Sequence, residues 1–294
     1  LFNIVLVVSL SVKVLNVMES IPKTCFTFWQ GAQFSKLHYY TIYSLVKYNP
    51  GVEIVVYTSS SSRDILVDWK TDEHNVPITN TLPFSSLSEF GTRIKIVHVD
   101  FQEEYNISND ISVVFKADFI RIAKLYEHGG IWFDFDILFI QPIPEFIFDV
   151  SSTELFFFCY SNTIPTGFIA CRPKIPIAEI LFSHAKRLIT VPGDYQKIGP
   201  FLWTILFAEN SHLFTNSTCL DTSMIYPYLP ETIHEILKNG GGLNKITEHT
   251  FGVHWFNGDP AIKKFINKPR NSVLYPTNCI LNRCICKTQI DPFL

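Results

Sequence analysis

The sequence predicts an α/β protein built on a mostly parallel central sheet, and three observations carry that expectation. The first is a strand–helix–strand alternation between Cys25 and Tyr57. The second is an amphipathic helix pattern over Val113–His128, stopped by Gly129-Gly130 and followed at once by the apolar run Ile131–Phe133. The third is bulk: 294 residues, 47% hydrophobic and 15% aromatic, can bury a large core and exclude a disordered chain. Parallel strands joined through a helix take a right-handed crossover. No Pro/Gly/Ser-rich linker interrupts the chain, which points to a single domain over 21–265 followed by a tail over 266–294.

Cys25–Trp29 (CFTFW) reads as a short β-prone strand closed by Gly31. Phe34–Tyr48 has apolar positions at helical spacing and stops at Asn49-Pro50-Gly51, a cluster of breakers. Val52–Tyr57 is β-branched and reads as a buried strand. Ser59–Ser62 is a loop, Arg63–Trp69 a short helix, 71–92 irregular and polar, and Ile94–Val99 a further strand. Within Val113–His128, Phe115, Phe119, Ile122, Ala123 and Tyr126 form an apolar stripe. Asp118 and Arg121, three apart, share another face, and Gly129 sits where a C-cap glycine belongs. Ile137–Ile140 continues as extended chain, and Glu154–Cys159 and Gly167–Cys171 read as strands. Pro176–Ile189 and Lys197–Glu209 read as helices, the second broken near Gly199-Pro200. Thr232–Lys238 reads as helix, Gly240–Gly242 as a turn, and Val253–Phe256 as a short segment before Gly258-Asp259-Pro260.

Net charge is −3 and no run of Lys or Arg exceeds two, so the basic stripe of a nucleic-acid surface is missing. Residues 1–18 are the candidate targeting segment: their apolar run is broken at Lys13, short of the about 20 residues that span a bilayer. A signal peptide or a membrane-anchor remnant fits that pattern, as does a buried edge element. Cys279, Cys284 and Cys286 crowd the tail, where one disulfide fits a secretory chain. No paired CxxC and no His accompany them, which argues against zinc. Asn106-Ile107-Ser108 and Asn216-Ser217-Thr218 are glycosylation sequons and lean toward a lumenal location. The expected compartment is the secretory pathway or Golgi membrane, with the cytoplasm as alternative.

Asp134-Phe135-Asp136 carries the chemistry. On extended chain, carboxylates spaced i, i+2 point to the same side and can face one divalent cation. Their neighbours Ile131, Trp132, Phe133, Phe135 and Ile137 are all large and apolar. Two acids set in such a run repel each other and lose hydration unless a cation or strong donors compensate.

The block Lys116-Ala-Asp118-Phe-Ile-Arg121, then Leu125-Tyr126-x-x-Gly129-Gly130-Ile-Trp-Phe-Asp134-Phe-Asp136, resembles the signature of DXD-containing sugar transferases. These are the glycosyltransferase family 32 group, with yeast initiating mannosyltransferases and α1,4-glycosyltransferases, and the glucosyltransferase domains of clostridial toxins. The likeness is tight over 116–142 and looser over 21–58 and 165–260. It implies a GT-A fold, a Rossmann-like nucleotide-binding sheet, and a nucleotide-sugar donor held through Mn²⁺ or Mg²⁺. It implies that Asp136 ligates the metal, and that Asp134 holds the ribose or donor sugar and helps at the metal. It implies that Asp118 and Arg121 bond donor-sugar hydroxyls, and that Trp29 stacks on the base. His254, in Gly252-Val-His254-Trp255-x-x-Gly258, resembles the C-terminal histidine segment that closes over metal and diphosphate, while Thr166-Gly167 and Gly199-Pro200 resemble acceptor-side positions. Ala117, Trp132 and Gly258-Asp259-Pro260 depart from the family pattern, the last leaving Asp259 as an alternative ligand.

The implied reaction is transfer of a sugar to a glycan, glycolipid or protein hydroxyl, with retention of configuration and no evident enzyme nucleophile. Two rivals are a DxD phosphohydrolase and a non-catalytic carbohydrate-binding protein on the same fold. In the first, Thr or Val follows the second acid at the position where Leu138 stands here. The intact carboxylates argue against the second.

Overall fold

The computed structural model describes residues 20–59, 79–149, 152–191, 193–238 and 245–267, together with Leu281. The segment 1–18, the helix expected at Arg63–Trp69, the turn at Gly240–Gly242 and the cysteines 279, 284 and 286 lie outside those residues.

In chain order the strands are β1 (Thr24–Phe28), β2 (Gln33–Ser35), β3 (Glu53–Thr58), β4 (Thr81–Pro83), β5 (Ile94–His98), β6 (Gly130–Phe133), β7 (Ile137–Phe139), β8 (Leu155–Phe158), β9 (Phe168–Cys171), β10 (Ser217–Leu220) and β11 (Gly252–His254). The helices are α1 (Lys36–Tyr48), α2 (Phe101–Tyr105), α3 (Val113–His128), α4 (Pro176–Leu188), α5 (Pro200–Glu209) and α6 (Pro260–Ile266). The main sheet has seven strands in the order β10-β8-β9-β6-β1-β3-β5. β1 pairs in parallel with β3 and β6, β3 with β5, and β8 with β10. Only β9 within this sheet is antiparallel, to both β6 and β8. The reason is connection length: the short turn through Tyr160–Thr163 joins β8 to β9, and a parallel return needs a longer crossover.

Alternation along the strands loads both faces. Cys25 of β1 with Ile54 and Val56 of β3 pack under Ile42 and Leu45 of α1. Phe26 and Phe28 with Val55 and Tyr57 pack under Phe119 and Ile122 of α3, whose core continues into Leu181 of α4 and Trp203 of α5. Burying side chains of this size contributes about 1.5–3 kcal/mol each.

The Gly129-Gly130 stop works as a hinge between α3 and β6. Both have positive φ, 63° and 101°, and a Cβ would lie 2.6 Å from Pro173 N at the first and 2.6 Å from Thr24 O at the second. The chain therefore drops from helix into strand flush against its neighbours.

Elsewhere the elements start or stop near their expected places. Phe34 belongs to β2 and Ser35 caps α1, so that helix begins at Lys36. The helix expected at Thr232–Lys238 is a 3₁₀-helix over Pro230–Leu237 with Lys238 as its C-cap, and the stretch expected to be irregular over 71–92 includes β4 and most of a 3₁₀-helix over Phe84–Arg93. Among the described residues no helix is long and apolar enough to cross a membrane.

Candidate active site

A cleft of about 280 Å³ opens outside the carboxyl ends of β1 and β6, where ligands of parallel sheets sit. Its lining includes Trp29, Asp118, Arg121, Asp134, Asp136 and Thr166. Arg121 is the hub. Its side chain is 6% exposed and donates to Asp118 Oδ1 at 2.7 Å, to Asp134 Oδ1 at 2.9 Å and to the Thr166 hydroxyl. Its guanidinium lies 4.8 Å from the Trp132 ring centre, and Trp132 Nε1 donates to the same Asp134 oxygen at 2.8 Å. One cation with two carboxylates and an aromatic face makes a buried knot that holds Asp134 in place.

The two acids of the D-x-D do not sit on extended chain. β6 ends at Phe133, residues 134–136 turn, and Ile137 N–H closes on Asp134 O at 3.2 Å before β7 begins. The expectation of same-side projection along a strand is corrected: the turn, not the pleat, brings the carboxylates together. Phe135 anchors the turn at the cleft wall, packing on Trp29 at 5.2 Å between ring centres.

β11 then supplies the missing partner. It pairs antiparallel with β7, with His254 opposite Ile137. Trp255 N–H donates to Asp136 O at 2.9 Å and Asn257 N–H to Asp136 Oδ2 at 2.8 Å. His254 Nε2 lies 3.2 Å from Asp136 Oδ1 and 3.7 Å from Asp134 Oδ2. Ligand atoms of Asp134, Asp136 and His254 all fall within 4.8 Å of one another. Gly167 makes that approach possible: a Cβ there would lie 2.7 Å from the Tyr226 hydroxyl and 3.0 Å from Asp134 Oδ2.

The charges of the three are unequal. Burial works to raise the Asp134 carboxyl, yet Arg121, His254 and Trp132 hold it well below the ordinary range. Burial raises Asp136, which His254 and the Asn257 N–H offset only in part. Burial acts against the charged form of His254, but Asp136 and Asp134 raise it above 6.5. Burial also pushes Asp118 up to about 6 despite Arg121.

Two hard carboxylates suit Mn²⁺ or Mg²⁺, and the imidazole favours the softer Mn²⁺ of the two. A further observation fits a cation here: Asn257 lines the cleft, and its Oδ1 is buried without a hydrogen-bond partner. Sequence reading missed Asn257; the only available signal was its place three residues after His254. Asp259, the alternative ligand, is occupied elsewhere, N-capping α6 through Ala261 and Ile262 N–H. Trp29 lies just past β1 at the cleft wall, and Pro200 lines it too, while Gly199 lets the Asp118 carboxylate approach the start of α5.

Residues 35–153 match the family described as "Glycosyltransferase sugar-binding region containing DXD motif". No curated protein matches the chain. Among solved structures, the apo-form glycosyltransferase GlyE of Streptococcus pneumoniae TIGR4 is 12% identical over 92% of this chain and 61% of its own, with a TM-score of 0.50. The chain thus spans less than two thirds of GlyE. PaToxG glycosyltransferase is 15% identical over 66% of this chain and 70% of its own, TM-score 0.47. The galactosyltransferase LgtC in complex with donor and acceptor sugar analogues is 10% identical over 90% and 95%, TM-score 0.49. The likeness to GlyE shows the fold, which is GT-A.

Proposed function

Taking the chain as a DXD-containing glycosyltransferase of GT-A fold, we propose that it is metal-dependent and moves a hexosyl group from a nucleotide sugar to a hydroxyl of a glycan, glycolipid or protein. The observation that carries this reading is the convergence of Asp134, Asp136 and His254 within 4.8 Å beside the Arg121 knot. Asp136 and His254, with Asp134 beside them and the Asn257 side chain in the same cleft, would hold the divalent cation. When bound, it supplies Lewis-acid stabilisation of the departing diphosphate.

The chain's own residues do the rest. Arg121 fixes Asp118 and Asp134 in place and, with His254 and Trp132, keeps Asp134 ionised. Asp118, 5% exposed at the cleft floor, orients donor-sugar hydroxyls. Trp29 and Phe135 wall the cleft with aromatic surface and exclude water, which favours transfer over hydrolysis. The family resemblance favours retention. The exposed side chains of Asn106 and Asn216 at the two sequons support a lumenal location.

A panel of UDP-, GDP-, CDP- and ADP-sugars incubated with Mn²⁺ tests the reading through release of the nucleoside diphosphate. Metal-dependent release from at least one donor is expected. Cation binding with neither hydrolysis nor transfer from any donor overturns catalysis in favour of a binding protein, and phosphate release from simple phosphate esters favours a phosphohydrolase.

A further inference from the structure

His38 occupies the cleft wall beside Trp29 and Phe135, in a state that the local backbone dictates. It is the third residue of α1, and Ser35 is the N-cap. Ser35 Oγ accepts from His38 N–H at 3.3 Å, and His38 Nδ1 accepts from Ser35 N–H at 3.2 Å, with Ser35 Oγ 2.7 Å away. A capping box of this kind ordinarily uses Glu or Gln at the third position. An amide N–H can only donate, so Nδ1 carries a lone pair and the ring proton sits on Nε2. Burial pushes this imidazole down to about 3, so it stays neutral. Among the described residues no hydrogen bond reaches Nε2.

The ring is 2% exposed. Its ring contacts are Trp29 at 4.8 Å, Trp255 at 5.0 Å and Phe135 at 5.6 Å. Arg121, Asp134, Asp136 and His254 are not among them. A neutral, tautomer-locked N–H set among flat aromatic walls has little to offer a diphosphate, which Arg121 and the cation ligands suit. It suits a planar heterocycle with an exocyclic acceptor.

We infer that His38 reads the nucleobase of the donor by giving its Nε2–H to the exocyclic oxygen at pyrimidine C4 or purine C6, so that uracil and guanine are taken over cytosine and adenine, which carry an amino group at that position. This rests on the cleft being the nucleotide-sugar site, and it deepens that reading. With an amino base, two donors face each other and the buried N–H loses its partner, a loss of about tenfold or more.

The test is calorimetry or tryptophan fluorescence with Mn²⁺, pairing UDP against CDP and GDP against ADP, with Mn²⁺–pyrophosphate as a ligand lacking a base. The wild-type protein is expected to favour at least one keto partner by about tenfold or more. His38→Leu should bring that ratio close to one while leaving pyrophosphate affinity unchanged. His38→Gln keeps the capping box through Oε1, offers an amide N–H to the cleft, and should recover part of the preference. Equal affinities for keto and amino partners in the wild type overturn the inference. So does a folded His38→Leu that weakens pyrophosphate as much as nucleotide, or a folded His38→Gln with no preference. Absence of pyrophosphate binding altogether refutes the donor-site reading itself, which distinguishes the two failures.

Discussion

The arginine side of the cleft and the histidine side are built in opposite ways. Asp118, Arg121, Trp132 and Asp134 come from one short stretch spanning α3 and the end of β6, where one guanidinium bridges two carboxylates through direct hydrogen bonds. Asp136, His254 and Asn257 come from segments more than a hundred residues apart, and Asn257 Oδ1 is left without a partner beside the acid. The two acids of the motif accordingly shift in opposite directions, Asp134 down and Asp136 up. Carboxylates tied directly to a guanidinium are held in place, whereas an acid raised by burial and met only by an imidazole and a backbone N–H has affinity left for a ligand. The first half therefore holds the frame, and the second half is where the proposed cation would enter.

Breaking the histidine side should have the largest effect on activity. Asp136→Asn is expected to lower transfer by about a thousandfold or more, with an unchanged circular-dichroism melt and loss of Mn²⁺ binding by calorimetry. Metal-dependent activity near the wild-type level in that variant removes Asp136 from the role. Breaking the arginine side should show first in stability. Arg121→Leu strands the buried Asp118 and the half-buried Asp134 and should cost roughly 3–5 kcal/mol in denaturant unfolding; a melt like the wild type's would mean the knot is not what holds α3 to the motif. Gly167→Ala tests the contact between the halves. Its methyl collides with Tyr226 and Asp134, so about 1–3 kcal/mol of stability should go, together with part of the Mn²⁺ affinity.

Finer changes sharpen the contrast. Asn257→Ala keeps the backbone N–H on Asp136 and removes the carboxamide with its Oδ1, so Mn²⁺ affinity should fall about tenfold with stability nearly unchanged. The smallest effect expected is in pH. Asp136 is raised above 3.8 and His254 above 6.5, and each must give up its proton to hold a cation. Mn²⁺ affinity should therefore rise with pH through the His254 range and fall as pH drops, with proton release measurable in buffers of different ionisation enthalpy. Asp134, already held ionised, should add nothing to that profile.

The arginine side is legible in the amino-acid sequence because its parts are local. Asp118 and Arg121 are three apart on a helix, and the glycine pair leads directly into the apolar strand and the motif. The α3 boundaries Val113–His128 match those expected, since periodicity and stop signals lie in the same stretch. His254 is legible only through a resemblance, and Asn257 and His38 not at all. A histidine in a capping box looks like any other polar residue near a helix start until its ring is seen against Trp29. The turn at 134–136 is also hidden, because an alternating acid–aromatic–acid triplet reads the same on a strand as in a turn.

By itself the sequence determined the alternation of strands and helices, the buried stripe of α3 and the presence of paired acids, because propensity, periodicity and capping act over a few residues. Only the tertiary structure decided which acid is compensated, which backbone N–H groups and imidazole reach the other, and where an unpartnered oxygen is left. Those depend on β11 pairing with β7 and on Gly167 leaving room between Tyr226 and Asp134. Electrostatic interactions fall with distance in space, not with separation along the chain, so the packed core sets them.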